Sequence, residues 1–182
     1  MRVLHHTLPE VSALLGQLQK CQFKFVIAGG YPRDLAHGCT PKDMDLCVYG
    51  LDADNIELTE HLIAHAQARF DFVLEHEVKH DLRIYRAFRF RIKNTDLHFD
   101  LIIYKAEFKD RATLLGTMDY NLNAYVLDLK TGMPVFVGQN EGTLTEQRVG
   151  GCADPKRKIY IADKAKALGW EVPAAVAQPQ GV

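Results

Sequence analysis

Two carboxylates, Asp43 and Asp45, lie two positions apart in a segment whose composition is typical of a strand. Because side chains alternate across a strand, both carboxylates should leave the same face, about 6.6 Å apart along the chain. Carboxylate oxygens on one rigid edge suit Mg²⁺, which takes few protein ligands and leaves room for substrate phosphates. The spacing therefore predicts a magnesium site.

A pair of glycines, Gly29 and Gly30, lies between an apolar strand over residues 25–28 and a helix that begins near residue 31. Since glycine has no side chain, such a turn can bring backbone N–H groups against phosphate oxygens. A metal on one side and amide donors on the other form an arrangement suited to nucleotidyl transfer.

The run from Ala28 to Leu46 resembles the signature of template-independent nucleotidyltransferases with the polymerase-beta-like fold. The resemblance is to the head domain of bacterial-type CCA-adding enzymes and poly(A) polymerases, which opens with Gly-Gly-x-Val-Arg-Asp, then Leu-Leu-Gly, then Asp-x-Asp-Leu. Pro32 replaces the usual Val, a mild change in the first turn of a helix. Nine positions match without a gap: Gly29, Gly30, Arg33, Asp34, Leu35, Gly38, Asp43, Asp45 and Leu46.

Two further matches follow in the family's order. Residues 118–124 resemble its Arg-Arg-Asp-Phe-Thr-Ile-Asn-Ala motif, and residues 153–157 resemble its Glu-Asp-x-x-Arg element, whose Asp and Arg pair with the incoming base in CCA-adding enzymes. For Arg33, neutralising phosphate charge and locking the loop against a carboxylate remain alternatives. The resemblance implies that the nucleotide is bound by Gly29, Gly30, Arg33, Asp119, Asn123, Asp154 and Arg157.

Polymerase-beta-like enzymes carry a third carboxylate on a neighbouring strand, and Asp100 is the candidate here. It faces away from its apolar neighbours, and a charge inside an apolar strand is costly unless it is paired or metal-bound. An edge-strand Asp facing water is the alternative. With Asp43, Asp45 and Asp100 as catalytic residues and metal ligands, the resemblance implies two Mg²⁺ ions about 3.5–4 Å apart, with Mn²⁺ as a substitute.

Two departures from the family bear on function. The Arg-Arg pair of the second motif reads Thr117-Met118, so cationic contacts to the nucleotide are missing there. The helical body that holds tRNA in these enzymes is absent from the 182 residues, which leaves two alternatives: a different acceptor, or a partner protein or second copy of the chain that supplies the body.

The elements along the chain predict the α+β class, with the polymerase-beta-like nucleotidyltransferase fold: a mixed β-sheet, helices packed against it and a short neck-like C-terminal helix. Residues 1–150 would form the head domain, 151–172 a neck-like helical appendage and 173–182 a disordered tail. Strands are expected near residues 24–28, 44–49, 72–78, 83–92, 97–104, 121–129 and 133–137. Helices are expected near 8–20, 31 onward, 54–70, 108–115 and 155–168.

Composition is that of a soluble globule, with 47% hydrophobic residues, 25% charged residues and a net charge of −1. The four cysteines show no C-x-x-C spacing, and no stretch approaches the ~20 apolar residues of a membrane span, so we expect a cytoplasmic protein with no membrane partner. Of two basic stretches, residues 83–93 and 156–166, only the second coincides with a family element and is the expected RNA-contacting surface.

The segment His76 to His80 matches the H-E-x-x-H pattern of zinc peptidases. That chemistry requires a helix that brings both histidines to one zinc ion. The apolar, aromatic segments on either side favour strands instead, so surface histidines are the better interpretation.

Three functions follow. The first is transfer of a nucleoside monophosphate from an NTP, ATP or CTP by preference, to an acceptor hydroxyl, with RNA 3′ ends and especially tRNA as the first acceptors to test. The second is a toxin-like enzyme that modifies a protein or small molecule, and the third a degenerate module that binds nucleotide or RNA without catalysis. Retention of all three carboxylates argues against the third.

Overall fold

The computed structural model describes residues 9–51, 56–76, 83–105, 107–147 and 154–177. These residues form a mixed seven-stranded sheet in the order β3-β4-β5-β2-β1-β6-β7, in which β2 and β5 are parallel and the other neighbours antiparallel. The predicted α+β class is confirmed. The strands are β1 (Lys24–Ala28), β2 (Asp43–Tyr49), β3 (Asp71–His76), β4 (Ile84–Arg91), β5 (His98–Tyr104), β6 (Tyr125–Leu127) and β7 (Pro134–Phe136).

One face of the sheet carries the main core. Two amphipathic helices, α1 (Pro9–Lys20) and α3 (Ile56–Arg69), cover it with their apolar sides. Alternate residues of the central strands point into this core, as the period of two requires, and β5 contributes Phe99, Leu101 and Ile103. The intervening residues of these strands must therefore face the other side of the sheet.

The other face is divided between a small apolar cluster and a polar end. Cys47 and Tyr49 of β2 pack there with Tyr104 of β5 and with the short helix α4 (Arg111–Leu115). Toward the start of β2 and β5 the apolar side chains give way to carboxylates. The helix α2 (Gly30–Ala36) begins at this same end of β1.

A third cluster attaches the C-terminal helix α5 (Pro155–Ala167) to the sheet. Ile161 of this helix and Trp170 beyond it are buried beside Tyr125 of β6. The indole Nε1–H of Trp170 donates to Nε2 of His37, just after α2, at 3.1 Å. The region predicted as a neck-like appendage therefore packs on the rest of the protein through both apolar and polar contacts.

Two expectations need correction. Residues 121–123 form a 3₁₀ turn, not the start of a strand, because the buried Asn121 side chain bonds the carbonyl oxygens of Gln139 and Thr143 and the amide of Thr145. In the tail expected to be disordered, Ala174–Ala177 form a helix, α6, because Val176 packs against the third cluster; residues 178–182 lie outside the described ranges.

No helix among the described residues is long and apolar enough to cross a membrane. Cys21, Cys39 and Cys47 are free thiols, and Cys152 lies outside the described part of the chain.

Candidate nucleotidyl-transfer site

Three carboxylates share the polar end of the sheet and are called the acidic face here: Asp43, Asp45 and Asp100. In the parallel pairing of β2 and β5, Asp45 lies directly opposite Asp100, and Asp43 lies opposite His98. Asp43 is exposed, Asp45 is half-buried and Asp100 is buried. The sequence expectation that residue 100 lies on the same side of the sheet as 43 and 45 agrees with this register.

Arg89 of β4 binds the third carboxylate of the acidic face. It lies opposite Asp100 in the antiparallel β4–β5 pair, with Nε 2.8 Å from Oδ1 and Nη2 2.6 Å from Oδ2 of Asp100. The same Nη2 atom is 3.9 Å from Oδ2 of Asp43, and Nε2 of His76 is 3.9 Å from Oδ1 of Asp100. The hydrogen bond to Asp100 raises the pKa of Arg89, so this cation is permanent.

Asp45 is the carboxylate of the acidic face whose negative charge has the fewest partners in the described part of the chain. Its carboxylate makes no hydrogen bond or ion pair with any other described residue, and burial together with the charges of Asp100 and Asp43 raises its pKa to about 7. Arg89 and Arg157 act in the opposite direction but do not cancel the effect. A half-buried carboxylate in this state gains from a nearby cation.

A divalent cation fits part of the acidic face. Asp43 and Asp45 offer only oxygen donors from one rigid strand, and burial, followed by the neighbouring carboxylates, raises the pKa of Asp45. Asp100 fits less well in this arrangement, because both of its oxygens accept hydrogen bonds from the positively charged Arg89. Over the described ranges, no three His, Cys, Asp or Glu side chains lie close enough together to hold one ion.

The double glycine lies beside Asp45 at the end of β1. Gly29 has φ +83°, a backbone angle that favours glycine, and a Cβ built on it would crowd Oδ2 of Asp45 at 3.2 Å. Its N–H donates to the carbonyl of Tyr125 at 3.0 Å and is therefore engaged within the sheet. Gly30 is the first residue of α2, and amides in the first turn of a helix have no partner within the helix.

Arg33 is buried within the protein. Its Nε donates to Oδ1 of Asp34 at 2.8 Å and its Nη1 donates to Oδ1 of Asn123 at 2.9 Å, with only 4% of the residue exposed. Asp34 also pairs with Lys164 of α5 at 3.1 Å. Of the two interpretations left open for Arg33, these contacts favour the lock on the loop.

The second and third sequence matches meet at Asp119. Its Oδ1 accepts from Asn123 Nδ2 at 3.1 Å, and its Oδ2 accepts from Nε of Arg157 at 2.8 Å. Asp154 caps α5 by accepting from the amide of Lys156 at 3.0 Å. The structure thus joins Arg33, Asn123, Asp119 and Arg157 in one chain of polar contacts, whereas Asp154 contributes a helix cap.

Sequence reasoning did not find the site contacts of Arg89, Lys164 and the His37–Trp170 pair. In the sequence, Arg89 is one of several cations in the basic stretch 83–93. Its position opposite Asp100 follows from the β4–β5 hairpin register, and the alternation of Arg89 with Phe88 and Phe90 was the available signal, because it places Arg89 on the face away from the core.

The segment that matches the zinc-peptidase pattern does not begin in the helix that zinc chemistry requires. His76 is the last residue of β3, paired with Ala87 of β4, and so lies in a strand as the flanking residues predicted. Residues 77–82, including His80, lie outside the described ranges.

Comparison with solved structures shows the fold. A CCA-adding enzyme in complex with ATP superposes with a TM-score of 0.63 and 18% identity, over 96% of this chain and 43% of that chain. The Thermotoga maritima CCA-adding enzyme complexed with tRNA gives 0.63 and 17%, over 94% and 42%. A tRNA nucleotidyltransferase complexed with a primer tRNA and an incoming ATP analogue gives 0.60 and 18%, over 90% and 47%.

This chain therefore shares the fold of these CCA-adding enzyme and tRNA nucleotidyltransferase structures, as its motifs predicted, and it spans less than half the length of these proteins. No family model and no curated protein sequence matches it.

Proposed function

We propose that this protein is a metal-dependent nucleotidyltransferase that moves a nucleoside monophosphate from an NTP to an acceptor hydroxyl. The observation that carries the proposal is the placement of Asp43 and Asp45 beside the Gly29-Gly30 turn, in a nucleotidyltransferase fold. A carboxylate pair next to a glycine turn is the part of the fold on which a metal–triphosphate would sit.

In the reaction, the acceptor oxygen bonds to the α-phosphorus, the bond from that phosphorus to the β-phosphate oxygen breaks, and pyrophosphate leaves; the hydroxyl proton passes to water or a neighbouring base. Asp43 and Asp45 would hold Mg²⁺ or Mn²⁺, which neutralises charge on the triphosphate and on the leaving pyrophosphate. The amide of Gly30 would orient a phosphate oxygen. Arg33 and Asn123 would fix the turn that carries this amide.

For the base and acceptor we propose ATP or CTP and an RNA 3′ end, with tRNA as the first candidate. Support comes from similar structures described as complexes with ATP, with CTP and with tRNA. Arg157 would select the base, and its contact with Asp119 supports this role because it fixes the guanidinium. Asp154 would act together with it, although its carboxylate caps the helix.

The test is incubation of the full chain with each labelled NTP, Mg²⁺ and total RNA. We expect label on RNA from ATP and CTP, and loss of label on adding EDTA. Asp43→Ala and Asp45→Ala should abolish transfer, while the matched control Asp96→Ala, at an exposed carboxylate beyond β4, should not.

Other outcomes separate the remaining functions. Label on protein or on a small molecule alone would favour the toxin-like enzyme. Binding of an NTP without transfer under every condition would favour the non-catalytic module, for which the engagement of Asp100 by Arg89 is the supporting contact. Wild-type transfer by Asp45→Ala would refute the metal assignment.

A further inference from the structure

A row of charged residues crosses three strands of the sheet. Arg89 lies opposite Asp100, and Asp100 lies opposite Asp45. From this row the guanidinium of Arg89 reaches both Asp100, at 2.6 Å, and Asp43, at 3.9 Å. It therefore stands between two carboxylates of the acidic face, where a bridging cation would bind.

A divalent ion that used Asp100 would have to displace this contact, or share the two oxygens with the guanidinium at close range. Two parallel N–H···O bonds between Arg and carboxylate are among the strong hydrogen bonds of proteins. The Asp100 side chain is only 12% exposed, so little water is present to take over the released donors and acceptors. A second dication beside the guanidinium would also be repelled by it.

We propose that Arg89 takes the place of the second metal ion, so that the centre holds one divalent cation, on Asp43 and Asp45. This inference rests on the proposed function, because it concerns the same site. It replaces the expectation of two ions that the family resemblance carries. Asp100 then acts as a positioning residue, which holds the guanidinium in place.

Arg89 also has hydrogen-bonding capacity to spare. Its Nη1 group contacts no other described residue, and its side chain is 34% exposed. Arg donors match phosphate oxygens well, so this group can receive a phosphate of the substrate. It would supply, from β4, the cationic contact that Thr117 and Met118 do not provide.

The test counts the Mn²⁺ ions that the full chain binds in the absence of nucleotide. Electron paramagnetic resonance measures the free Mn²⁺ during a titration, and the bound Mn²⁺ is the remainder. We expect one ion for the wild type and none for Asp45→Asn. Asp100→Asn should still bind one ion, because Asp100 is not a ligand. Arg89→Met should bind two, because Asp100 becomes available, and the matched control Arg89→Lys, which keeps the charge, should bind one.

Two ions on the wild type, or loss of Mn²⁺ binding in Asp100→Asn to the level of Asp45→Asn, would overturn the inference. So would a folded Arg89→Met that binds a single ion. If circular dichroism shows that Arg89→Met does not fold, the number of Mn²⁺ ions bound by Asp100→Asn decides between one ion and two. Two ions together with intact RNA labelling would remove this inference alone, whereas no Mn²⁺ binding and no labelling would remove the proposed function with it.

Discussion

Nε of Arg157 donates to Oδ2 of Asp119 at 2.8 Å and so connects the C-terminal helix to the 3₁₀ turn that carries Asn123. This contact brings two separate sequence matches together. It also gives the C-terminal helix a polar attachment beside the acidic face, in addition to the apolar cluster around Trp170.

Asp119→Asn should lower the free energy of unfolding by about 1 kcal/mol or less. The amide group of the new Asn can meet Arg157 donor to donor, which removes this ion pair. The expected loss of stability is small because the Arg157 side chain is 40% exposed, so that water screens the pair. Urea unfolding followed by the emission of Trp170, the only tryptophan, measures the loss. The matched control is Asp163→Asn, at an exposed carboxylate on α5, the helix that carries Arg157, and its free energy of unfolding should be close to that of the wild type. Equal losses of stability in both variants would contradict a stabilising contact between Asp119 and Arg157.

Gly29→Ala should lose both stability and transfer. The positive φ costs about 1 kcal/mol or more for a residue with a side chain, and the new Cβ would press on the Asp45 carboxylate. Gly142→Ala is the control, because Gly142 has φ +89° with no atom within 4 Å of a built Cβ. Both variants should unfold at lower urea, but only Gly29→Ala should transfer nucleotide more slowly; equal rates would show that the contact with Asp45 is unimportant.

Asp45 should make the metal-free protein less stable as the pH rises. Its pKa is about 7 in the folded protein against 3.8 in the unfolded chain, so the folded state binds more protons between these values. The stabilising contribution is complete below pH 4 and is lost as the pH rises to 7. Asp45→Asn should therefore exceed wild type in free energy of unfolding at pH 8 without divalent cations, by a few kcal/mol at most, since one pH unit corresponds to about 1.4 kcal/mol.

Urea unfolding at pH 4 and pH 8 tests this expectation. At pH 8, added Mg²⁺ should stabilise wild type and leave Asp45→Asn unchanged, because only the carboxylate binds the cation. An equal difference in free energy of unfolding between wild type and Asp45→Asn at both pH values would argue against a raised pKa of Asp45.

Arg33 and Asn123 should be energetically coupled. Both side chains are buried and joined by a 2.9 Å hydrogen bond, so removing either one leaves Nη1 of Arg33 or Oδ1 of Asn123 without this partner, although the bonds to Asp34 and Asp119 remain. In a double-mutant cycle of Arg33→Ala and Asn123→Ala, we expect a coupling energy of about 1–3 kcal/mol in urea unfolding. Additive losses would mean that Arg33 acts elsewhere, for example on a phosphate.

The sequence predicted the elements of the sheet well because periodicity is a local property. The alternation along β5 identified the side of the sheet on which Asp100 lies before any partner strand was known. Helix α1 was recognisable from its apolar spacing in the same way. The short β6 was predicted too long, since the Asn121 side chain holds a 3₁₀ turn through contacts with a distant loop.

The partners of the site residues were less accessible, because they depend on register between segments far apart in the chain. Nothing near Asp100 in sequence indicates Arg89, and nothing near Arg33 indicates Asn123. Each pair is set by how strands and turns align, which local patterns do not specify.

The parallel pairing of β2 with β5 has a consequence for biosynthesis. A parallel partner is reached only by a long crossover, so Asp45 and Asp100 come together late, after α3 and the β3–β4 hairpin have been made. Chains that stop before residue 98 would present Asp43 and Asp45 without their guanidinium-bearing neighbour in place. Only a sheet that includes β5 brings the charges of Asp45, Asp100 and Arg89 into one row.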